Sequence, residues 1–416
     1  MSVNTTKTIH DEELTTTKCA NIVDLPDVAL YTIFSYLDIT SLGRVCCTCS
    51  RLREIASRDT VWIQHSYSPG VSVFHVNKCA YKRKTKRSIP LKERCRIAKN
   101  WETKNFQDVQ FIKHSTKLMP WIKLHSQKLY VSNAANISCY CVMKEGTVED
   151  KRLHITGQKH DVTRFVVTDE VIVSGFRGGG IIGYDTVTNT KKFEYDFNEC
   201  SDTQAVAAHN DVIIAGFRDG SVKVINTVQD ISAEVNRVTS GNRVPNRIWS
   251  VAVAPDGSNF TVGNAGLEIA RTPVEVYDMT SCRLLYSLGA ECKKGAGVLD
   301  IKYETPYTML TCGYDTSLRL WDLRAKMCVL KWVEPFDAEL SSLQSDGNNV
   351  IVTGTFQYGM TRLWDKRYSS PIQMYYCGQK RSPVYCLDTD FQRLFVALDF
   401  GIHMLDFTTY KSVCKQ

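Results

Sequence analysis

A pattern that returns every 41 to 52 residues is the feature that most limits how this chain folds. Its clearest form is Arg-Leu-Trp-Asp, which ends at Asp322 and again at Asp365. Aligning outward from these two copies gives one matching position in each unit: Tyr140, Tyr184, Ile225, Tyr277, Trp321, Trp364 and Leu405. A period of about 40–45 residues is typical of a ring of four-stranded sheets. The spacing therefore predicts seven such units.

The interior of each unit supports this interpretation. A β-branched run such as "VIVSG", "VIIAG" or "VIVTG" comes first, and a turn that carries Gly or Asp follows it. Gly and Asp suit tight hairpins, because Gly adopts positive φ freely and Asp bonds to its own backbone. One sheet cannot bury both of its faces, whereas seven sheets packed around an axis can. We therefore expect a mainly β fold, a seven-bladed β-propeller, over residues 106–416.

Two details of the ring are open at this level. The 52-residue step predicts an insertion in the fourth unit, within Ser240–Arg247 or Gly263–Pro273. The strand that closes the ring is either Phe106–His114 or the tail Tyr410–Gln416.

Composition narrows the class of protein. The chain has 416 residues and a net charge of +7. Eleven basic residues against two acidic ones lie between Lys78 and Lys104, so the remainder is close to neutral. This distribution argues against nucleic-acid binding. No apolar run is long enough to span a membrane, and the polar N-terminus lacks a signal region, which predicts a cytoplasmic or nuclear protein. Its sixteen cysteines are then expected to be reduced.

The N-terminal region has helical periodicity. Leu30, Ile33, Phe34 and Leu37 have the spacing of one helix face, and so do Leu42, Val45, Cys46 and Cys49. Asp59 or Thr60 is suited to cap a third helix that carries Trp62. We expect a small all-α unit of three helices at residues 21–66, after a disordered tail at 1–20. The apolar side chains of Leu30, Ile33, Phe34 and Leu37 exceed what so small a core can bury, which predicts that some of them contact another chain.

A basic linker is expected at residues 67–105. "IPLKERCRIAKNW" has Leu91, Cys95, Ala98 and Trp101 near one face of a helix. We interpret this helical linker as a stiff spacer. The cations of "YKRKTKR" are interpreted as solvated, with nuclear import and an acidic partner as alternatives.

No catalytic motif is found in the sequence. It lacks HExxH, GxSxG and the glycine-rich phosphate loops, and its histidines are scattered. Gly178-Gly179-Gly180 is explained by a hairpin turn. Cys46-Cys47-Thr48-Cys49 has no matching second ligand pair for zinc. We expect no enzyme activity, no catalytic residues, no cofactor and no metal.

The N-terminal unit resembles the F-box motif. The resemblance rests on "LPDVALYTIFSYLDITSLGRVC" together with Trp62, and Cys49 departs from it, because many F-boxes have Trp there. It implies docking to the Skp adaptor of a cullin–RING ubiquitin ligase. The residues that it implies for adaptor binding are Leu25, Pro26, Ile33, Leu37, Leu42, Val45, Cys46 and Trp62.

The ring resembles WD-repeat proteins, and the whole chain resembles the F-box/WD-repeat family. Stretches such as "RIWSVAVAP" and "GAGVLDIKYETPYTMLTCGYDTSLRLWDLR" are similar to its dactylin-type members. The family implies a non-catalytic substrate receptor whose ring captures a protein substrate. For this chain we expect the captured segment to be acidic or phosphorylated. The substrate-binding residues implied at one face of the ring are Arg177, Arg218, Arg247, Trp249, Tyr314, Arg381 and Tyr385. The alternative is a WD-repeat scaffold without a role in ubiquitin transfer.

Overall fold

The computed structural model describes residues 21–67, 89–143, 146–155, 160–197, 201–227, 246–267, 272–378 and 381–409. The chain divides into two compact units. The first contains residues 21–67 and 89–95, and the second contains the described residues from 96 onward. Within the described ranges, no helix combines the length and the apolar character that crossing a membrane requires.

The first unit is helical. Its α-helices are α1 Asp27–Ser35, α2 Ile39–Val45, α3 Ser50–Ala56 and α4 Asp59–Trp62. A further helix, α5 Leu91–Thr103, begins in this unit and ends in the second. Two short 3₁₀ helices, Ile22–Asp24 and Ile63–Tyr67, precede α1 and follow α4. Asp38 begins α2, since its carboxylate accepts the N–H groups of Thr40 and Ser41, each at 3.2 Å.

The expectation of three helices in this unit was wrong by one. Helix α3 was missed, although Leu52, Ile55 and Ala56 have helical spacing and are buried. The predicted cap of the last helix was also wrong, because Arg58 occupies the N-cap and Asp59 is already inside α4. The Asp59 carboxylate instead accepts the N–H of Leu91 at 3.0 Å, which ties the first turn of α5 to this unit.

The second unit consists of strands joined by short turns. In chain order the strands are β1 Gln107–Lys113, β2 Ile122–His125, β3 Lys128–Asn133, β4 Asn136–Met143, β5 Gly146–Ile155, β6 Val162–Val167, β7 Val171–Phe176, β8 Gly180–Asp185, β9 Lys191–Asp196, β10 Thr203–His209, β11 Val212–Phe217, β12 Val222–Asn226, β13 Ile248–Val253, β14 Asn259–Asn264, β15 Val274–Asp278, β16 Leu284–Leu288, β17 Val298–Thr305, β18 Thr308–Gly313, β19 Ser317–Asp322, β20 Met327–Val333, β21 Leu340–Ser345, β22 Val350–Thr355, β23 Met360–Asp365, β24 Gln373–Tyr376, β25 Cys386–Thr389, β26 Arg393–Leu398 and β27 Gly401–Asp406.

Within the described residues these strands form seven antiparallel sheets arranged as a β-propeller. In chain order the sheets are β2–β5, β6–β9, β10–β12, β13–β16, β17–β20, β21–β24, and β25–β27 together with β1. Strand β2 contacts β6, and each later first strand contacts the next, through β10, β13, β17 and β21 to β25. Strand β25 in turn contacts β2, so the first strands surround a common axis. The predicted seven-bladed propeller is confirmed.

The seven aligned positions all lie in the third strand of their sheets. Trp321 pairs with Met309 and Trp364 with Ile351 on the second strand. Both indoles are buried, and their N–H groups donate to Thr311 and Thr353 of the same sheets at 2.9 and 2.8 Å. Trp is therefore repeated because its ring fills the space between sheets while its N–H is satisfied within the sheet.

The ring is closed by the segment before the first complete sheet. Strand β1 pairs with β27 in antiparallel register, with Asp108 opposite Leu405. This confirms Phe106–His114 as the closing segment. The alternative tail, and residues 240–245 and 268–271 of the predicted insertion, lie outside the described residues. Gly178 and Gly179 form the predicted hairpin turn, with φ of 95° and 87°.

The predicted linker helix is confirmed as α5. Leu91, Cys95, Ala98 and Trp101, which were predicted near one face of this helix, are all buried. Its fully buried Ile97 was missed. The basic run "YKRKTKR" lies outside the described residues.

Charged side chains of the first strands interact across and around the axis of the ring. The Nη2 of Arg164 on β6 donates to the carbonyl of Leu299 on β17 at 3.0 Å, although these strands belong to the second and fifth sheets. Lys123 lies 3.4 Å from Asp388, and the Nζ of Lys302 donates to Gln344 at 3.0 Å. Burial, followed by the charge of Lys123, lowers the pKa of Lys302 from 10.5 to about 8.

Replacing Lys302 by methionine should change how the stability of the ring depends on pH. Between pH 8 and 10.5 the unfolded chain holds a proton on Lys302 that the folded chain has released, so folding becomes more favourable as pH rises. The charged lysine therefore destabilises the ring below pH 8, by up to about 3 kcal/mol. We expect Lys302→Met to gain stability relative to wild type at pH 7 and to lose that advantage by pH 10.5. Urea unfolding at both pH values measures this, and a difference independent of pH would contradict it.

Candidate protein-binding surfaces

The helical unit exposes a set of large apolar side chains. Val28 is 74% exposed and Tyr36 is 85% exposed, and Ile33 lies on the same helix. Ile22 and Ile63, from the flanking 3₁₀ helices, are also exposed. We call Val28, Ile33 and Tyr36, which share one side of α1 and its C-cap, the apolar surface of the helical unit. So much exposed apolar area on so small a unit is typical of a protein interface.

The helices beneath this surface are held together by polar contacts as well as by a core. The guanidinium of Arg58, before α4, donates to the Tyr31 hydroxyl at 2.5 Å and to Asp27 at 3.3 Å, both on α1. The indole N–H of Trp62 donates to the carbonyl of Ala56 at 2.7 Å. Helix α1 is thereby fixed on α3 and α4, and its outer face is displayed rigidly.

The residues predicted to bind an adaptor separate into two groups. Pro26 and Ile33 are exposed, and Leu25, Leu37 and Val45 are half-buried. Leu42, Cys46 and Trp62 are buried in the core of the unit, at 0%, 4% and 2% exposure. This corrects the expectation that these three side chains face a partner. They stabilise the helices that carry the surface.

The source of the apolar surplus also differs from the prediction. Leu30 and Phe34 were counted as surplus, but the core accommodates both completely. The exposed apolar residues are instead Ile33, which the predicted stripe included, and Val28 and Tyr36, which it omitted. Val28, Thr32 and Tyr36 follow one another at four-residue intervals, so a second stripe on the same helix was the signal that could have found them.

One edge of the ring brings together residues from many turns. The residue after the second strand of a sheet donates its N–H to the residue that leads into the first strand. Arg218 bonds in this way to Asp202, Tyr314 to Gly297 and Phe356 to Glu339, at 3.0 Å each. The turn positions and the lead-in positions therefore lie at the same edge, as expected. We call this edge the mouth of the ring.

Four of the predicted substrate-binding residues form one cluster at the mouth. The guanidinium of Arg247 lies 4.5 Å from the ring centre of Trp249. Trp249 meets Tyr314 edge to face, with centroids 5.8 Å apart. Burial, followed by the nearby charge of Arg218, lowers the pKa of Arg247. Arg218, Arg247, Trp249 and Tyr314 thus make a cationic and aromatic cluster that spans the third to the fifth sheet.

The other three predicted residues lie apart from this cluster. Arg381 stacks over the exposed Tyr358 at 5.2 Å, on the sixth and seventh sheets. The Tyr385 hydroxyl donates to the buried carboxylate of Asp399 at 2.6 Å, which gives it a role inside the seventh sheet. Arg177 is exposed in the turn after β7, and its backbone N–H bonds to Asp161.

Further residues of the mouth were not predicted. Phe356 stacks on Tyr314 with centroids 5.9 Å apart and planes 9° from parallel, and it extends the aromatic row to the sixth sheet. It occupies the turn position that Tyr314 occupies one sheet earlier, so the alignment of repeats contained the signal. Asp202 lies 3.8 Å from Arg218, and Phe336 is 63% exposed in the loop before β21.

Comparisons with known proteins agree with both units. Residues 22–68 match the family model described as F-box-like. Over 392 residues, the chain is 34% identical to the human F-box/WD repeat-containing protein 4, covering 92% of each chain, and the mouse protein of the same name matches equally well. The crystal structure of the WD40 β-propeller domain of Doa1 superposes with a TM-score of 0.57 at 11% identity, over 74% of this chain and 98% of that one. This last similarity supports the fold alone.

Proposed function

The chain belongs to the F-box/WD-repeat family, and from that membership we propose that it is the substrate-recognition subunit of a Skp–cullin–F-box ubiquitin ligase. In this role it is a non-catalytic receptor. The helical unit docks on the Skp adaptor, and the ring captures a protein substrate in the cytoplasm or nucleus. Ubiquitin transfer then depends on proximity, because the receptor holds a substrate lysine near a carrier enzyme.

The observation that carries the proposal is the apolar surface of the helical unit. Val28 and Ile33 on one short helix, and Tyr36 at its C-cap, expose their side chains, while Leu30 and Phe34 on the other side of the helix complete the core. A helix displayed in this way is suited to lie in an apolar groove of a partner. Leu25 and Pro26 immediately precede α1, and we propose that they contact the adaptor together with this surface. We place Leu37 and Val45 at the border of the adaptor contact.

The mouth of the ring supports the second half of the proposal. Arg218, Arg247, Trp249 and Tyr314 are residue types that dominate protein interfaces, and the structure groups them within one cluster. Arg177 and Arg381 extend the cationic part of the mouth toward neighbouring sheets. A rigid ring that displays such side chains on its turns is a common arrangement for binding a peptide segment.

Co-purification of the full chain with the Skp adaptor and the cullin tests the proposal. We expect the wild type to retain both, and the double variant Val28→Asp/Tyr36→Asp to lose the adaptor by about tenfold or more, because each carboxylate would be desolvated in an apolar groove. The exposed polar Thr60 of α4 offers a matched control, Thr60→Asp, which should bind as the wild type does. Circular dichroism should show that all variants remain folded.

Failure to bind the adaptor in the wild type would favour the other function considered above, a WD-repeat scaffold without a role in ubiquitin transfer. Binding that survives both aspartates would instead place the adaptor contact elsewhere on the helical unit. The Leu25→Ala/Pro26→Ala variant then decides whether the start of α1 takes part.

A further inference from the structure

We propose that the mouth recognises an unphosphorylated linear motif, in which one aspartate or glutamate lies two or four residues from a large apolar or aromatic side chain. The proposal deepens the proposed function by assigning a substrate class to its binding surface. The acidic side chain binds between Arg218 and Arg247, and the apolar side chain packs on Trp249, Tyr314 and Phe356.

The charge of the cluster selects a carboxylate over a phosphate. Arg218 and Arg247 supply two positive charges, but the Asp202 carboxylate lies 3.8 Å from Arg218 and its Oδ1 accepts the N–H of Gly178 at 3.1 Å. The net charge of these three side chains is therefore +1. A carboxylate of the ligand neutralises this net charge of the three side chains. A phosphate, with a charge of about −1.5 to −2, would exceed it, and the remaining negative charge would lie near the Asp202 carboxylate.

The Arg218 side chain is available to a ligand. It is 59% exposed, and its pair with Asp202 is long and exposed, so leaving that pair costs little. Arg247 is the more rigid of the two, because its guanidinium is stacked on the Trp249 indole. A guanidinium with one face on an aromatic ring keeps its edge N–H groups free to bond a carboxylate in the same plane.

The aromatic row supplies the second half of the site. Trp249, Tyr314 and Phe356 are spaced by 5.8 and 5.9 Å. Alternate side chains of an extended peptide project on one side at intervals of about 6.6 Å, which is similar to this spacing. In an extended peptide whose acidic side chain contacts Arg247, the side chain two residues away would therefore lie over Tyr314, and the side chain four residues away would lie over Phe356.

Two donors without an acceptor lie in the same segment. Among the described residues, the buried Nε1 of Trp249 and the Nδ2 of Asn246 have no acceptor, and Asn246 is only 1% exposed. A buried donor without an acceptor costs about 1–3 kcal/mol and is uncommon in folded proteins. Both donors flank Arg247 in the sequence, where a small shift on binding would let peptide carbonyls reach them.

Selection of a random peptide-display library on the full chain bound to its adaptor tests the motif. We expect enrichment of unphosphorylated peptides that pair an acidic with an aromatic or large apolar residue at the stated spacing. A selected peptide and its Glu→Gln and Glu→phosphoserine analogues are then compared by fluorescence polarisation. The glutamine analogue should bind at least about fivefold more weakly, through loss of a charge-assisted bond. The phosphoserine analogue should bind no more tightly than the glutamate peptide.

Variants of the mouth give the sharpest comparison. Arg247→Ala and Tyr314→Ala should each weaken binding by about tenfold. Arg324→Ala, on an exposed arginine at the opposite edge of the ring, is the matched control and should bind normally. Asp202→Asn retains the acceptor for Gly178 but raises the net charge of the cluster to +2. It should therefore make the phosphoserine analogue the tighter ligand.

Three results would overturn the proposal: enrichment without acidic residues, binding restricted to phosphorylated peptides in the wild type, or full binding by both Arg247→Ala and Tyr314→Ala. Adaptor co-purification is measured on the same samples. Loss of the motif with the adaptor retained rejects this inference alone, whereas loss of the adaptor with peptide binding retained rejects the proposed function alone.

Discussion

Replacing Arg362 by methionine should lower the free energy of unfolding of the ring by about 3–5 kcal/mol. Arg362 lies in β23 and is 4% exposed, and its partner Glu334 is 1% exposed. The Nε and Nη2 of Arg362 both donate to Oε1 of Glu334, the Nε at 2.8 Å. Methionine would fill much of the same volume but leave a buried carboxylate without its cation, and that loss accounts for the expected effect.

The same ion pair supports the mouth of the ring. The second carboxylate oxygen of Glu334 accepts the N–H groups of Phe336 and Ala338 at 2.6 and 2.9 Å, and the guanidinium of Arg362 lies 4.7 Å from the ring centre of Phe336. These bonds shape the loop that leads into β21 and presents Phe336 to solvent. We therefore expect Arg362→Met to loosen this loop as well as to destabilise the ring.

Urea unfolding of the full chain measures the effect. The matched control is Arg324→Met, because Arg324 pairs with Asp322 at 3.0 Å but is 67% exposed, and exposed pairs contribute less than about 1 kcal/mol. The variant Glu334→Gln should also destabilise the ring. The double variant should lose clearly less than the sum of the two single losses. Strict additivity would show that the two side chains do not depend on each other.

The repeat made the ring predictable, because each sheet uses the same arrangement of turns and of residues between sheets. Trp321 and Trp364 identified the third strand, and weaker matches such as Ile225 and Leu405 followed from their spacing. Helix α3 was missed because its N-cap residue, Cys49, makes no side-chain cap bond, and because its Leu52, Ile55 and Ala56 are interrupted by charged residues. A short helix that owes its stability to packing carries little periodic signal of its own.

The sites were less predictable than the fold. Residue type and repeat position brought Arg218, Arg247, Trp249 and Tyr314 to one place, since every turn after a second strand lies at the mouth. Sequence alone did not reveal that Tyr385 bonds to Asp399, or that Asp202 offsets part of the positive charge, because both are contacts between residues distant in the chain. Likewise, spacing assigned Leu42 to a helix face but did not establish whether that face is covered.

Replacing Trp101 by alanine should destabilise the ring by about 3–5 kcal/mol, as expected for removal of a buried tryptophan. The Trp101 side chain is 2% exposed and stacks on Phe407, with centroids 3.8 Å apart and planes 13° from parallel. Its indole N–H donates to the carbonyl of Phe391 at 3.1 Å, and its own carbonyl accepts the Tyr375 hydroxyl at 2.6 Å. Helix α5 is thereby built into the core of the last two sheets, and a cavity there would open the region where the ring closes.

A comparison of Trp101→Ala with Trp101→Phe measures how much of the effect an aromatic ring at this position restores. Phenylalanine retains part of the stacking on Phe407 but loses the second ring of the indole and the bond to Phe391, so it should destabilise the ring by about 1–2 kcal/mol, clearly less than alanine does. Hydrogen exchange should localise the alanine effect to α5, β1 and β27, because β1 follows the helix directly and pairs with β27. If alanine changed the unfolding free energy by less than about 1 kcal/mol, the helix would contribute no core to the ring, and its contacts with Phe407 and Tyr375 would be incidental.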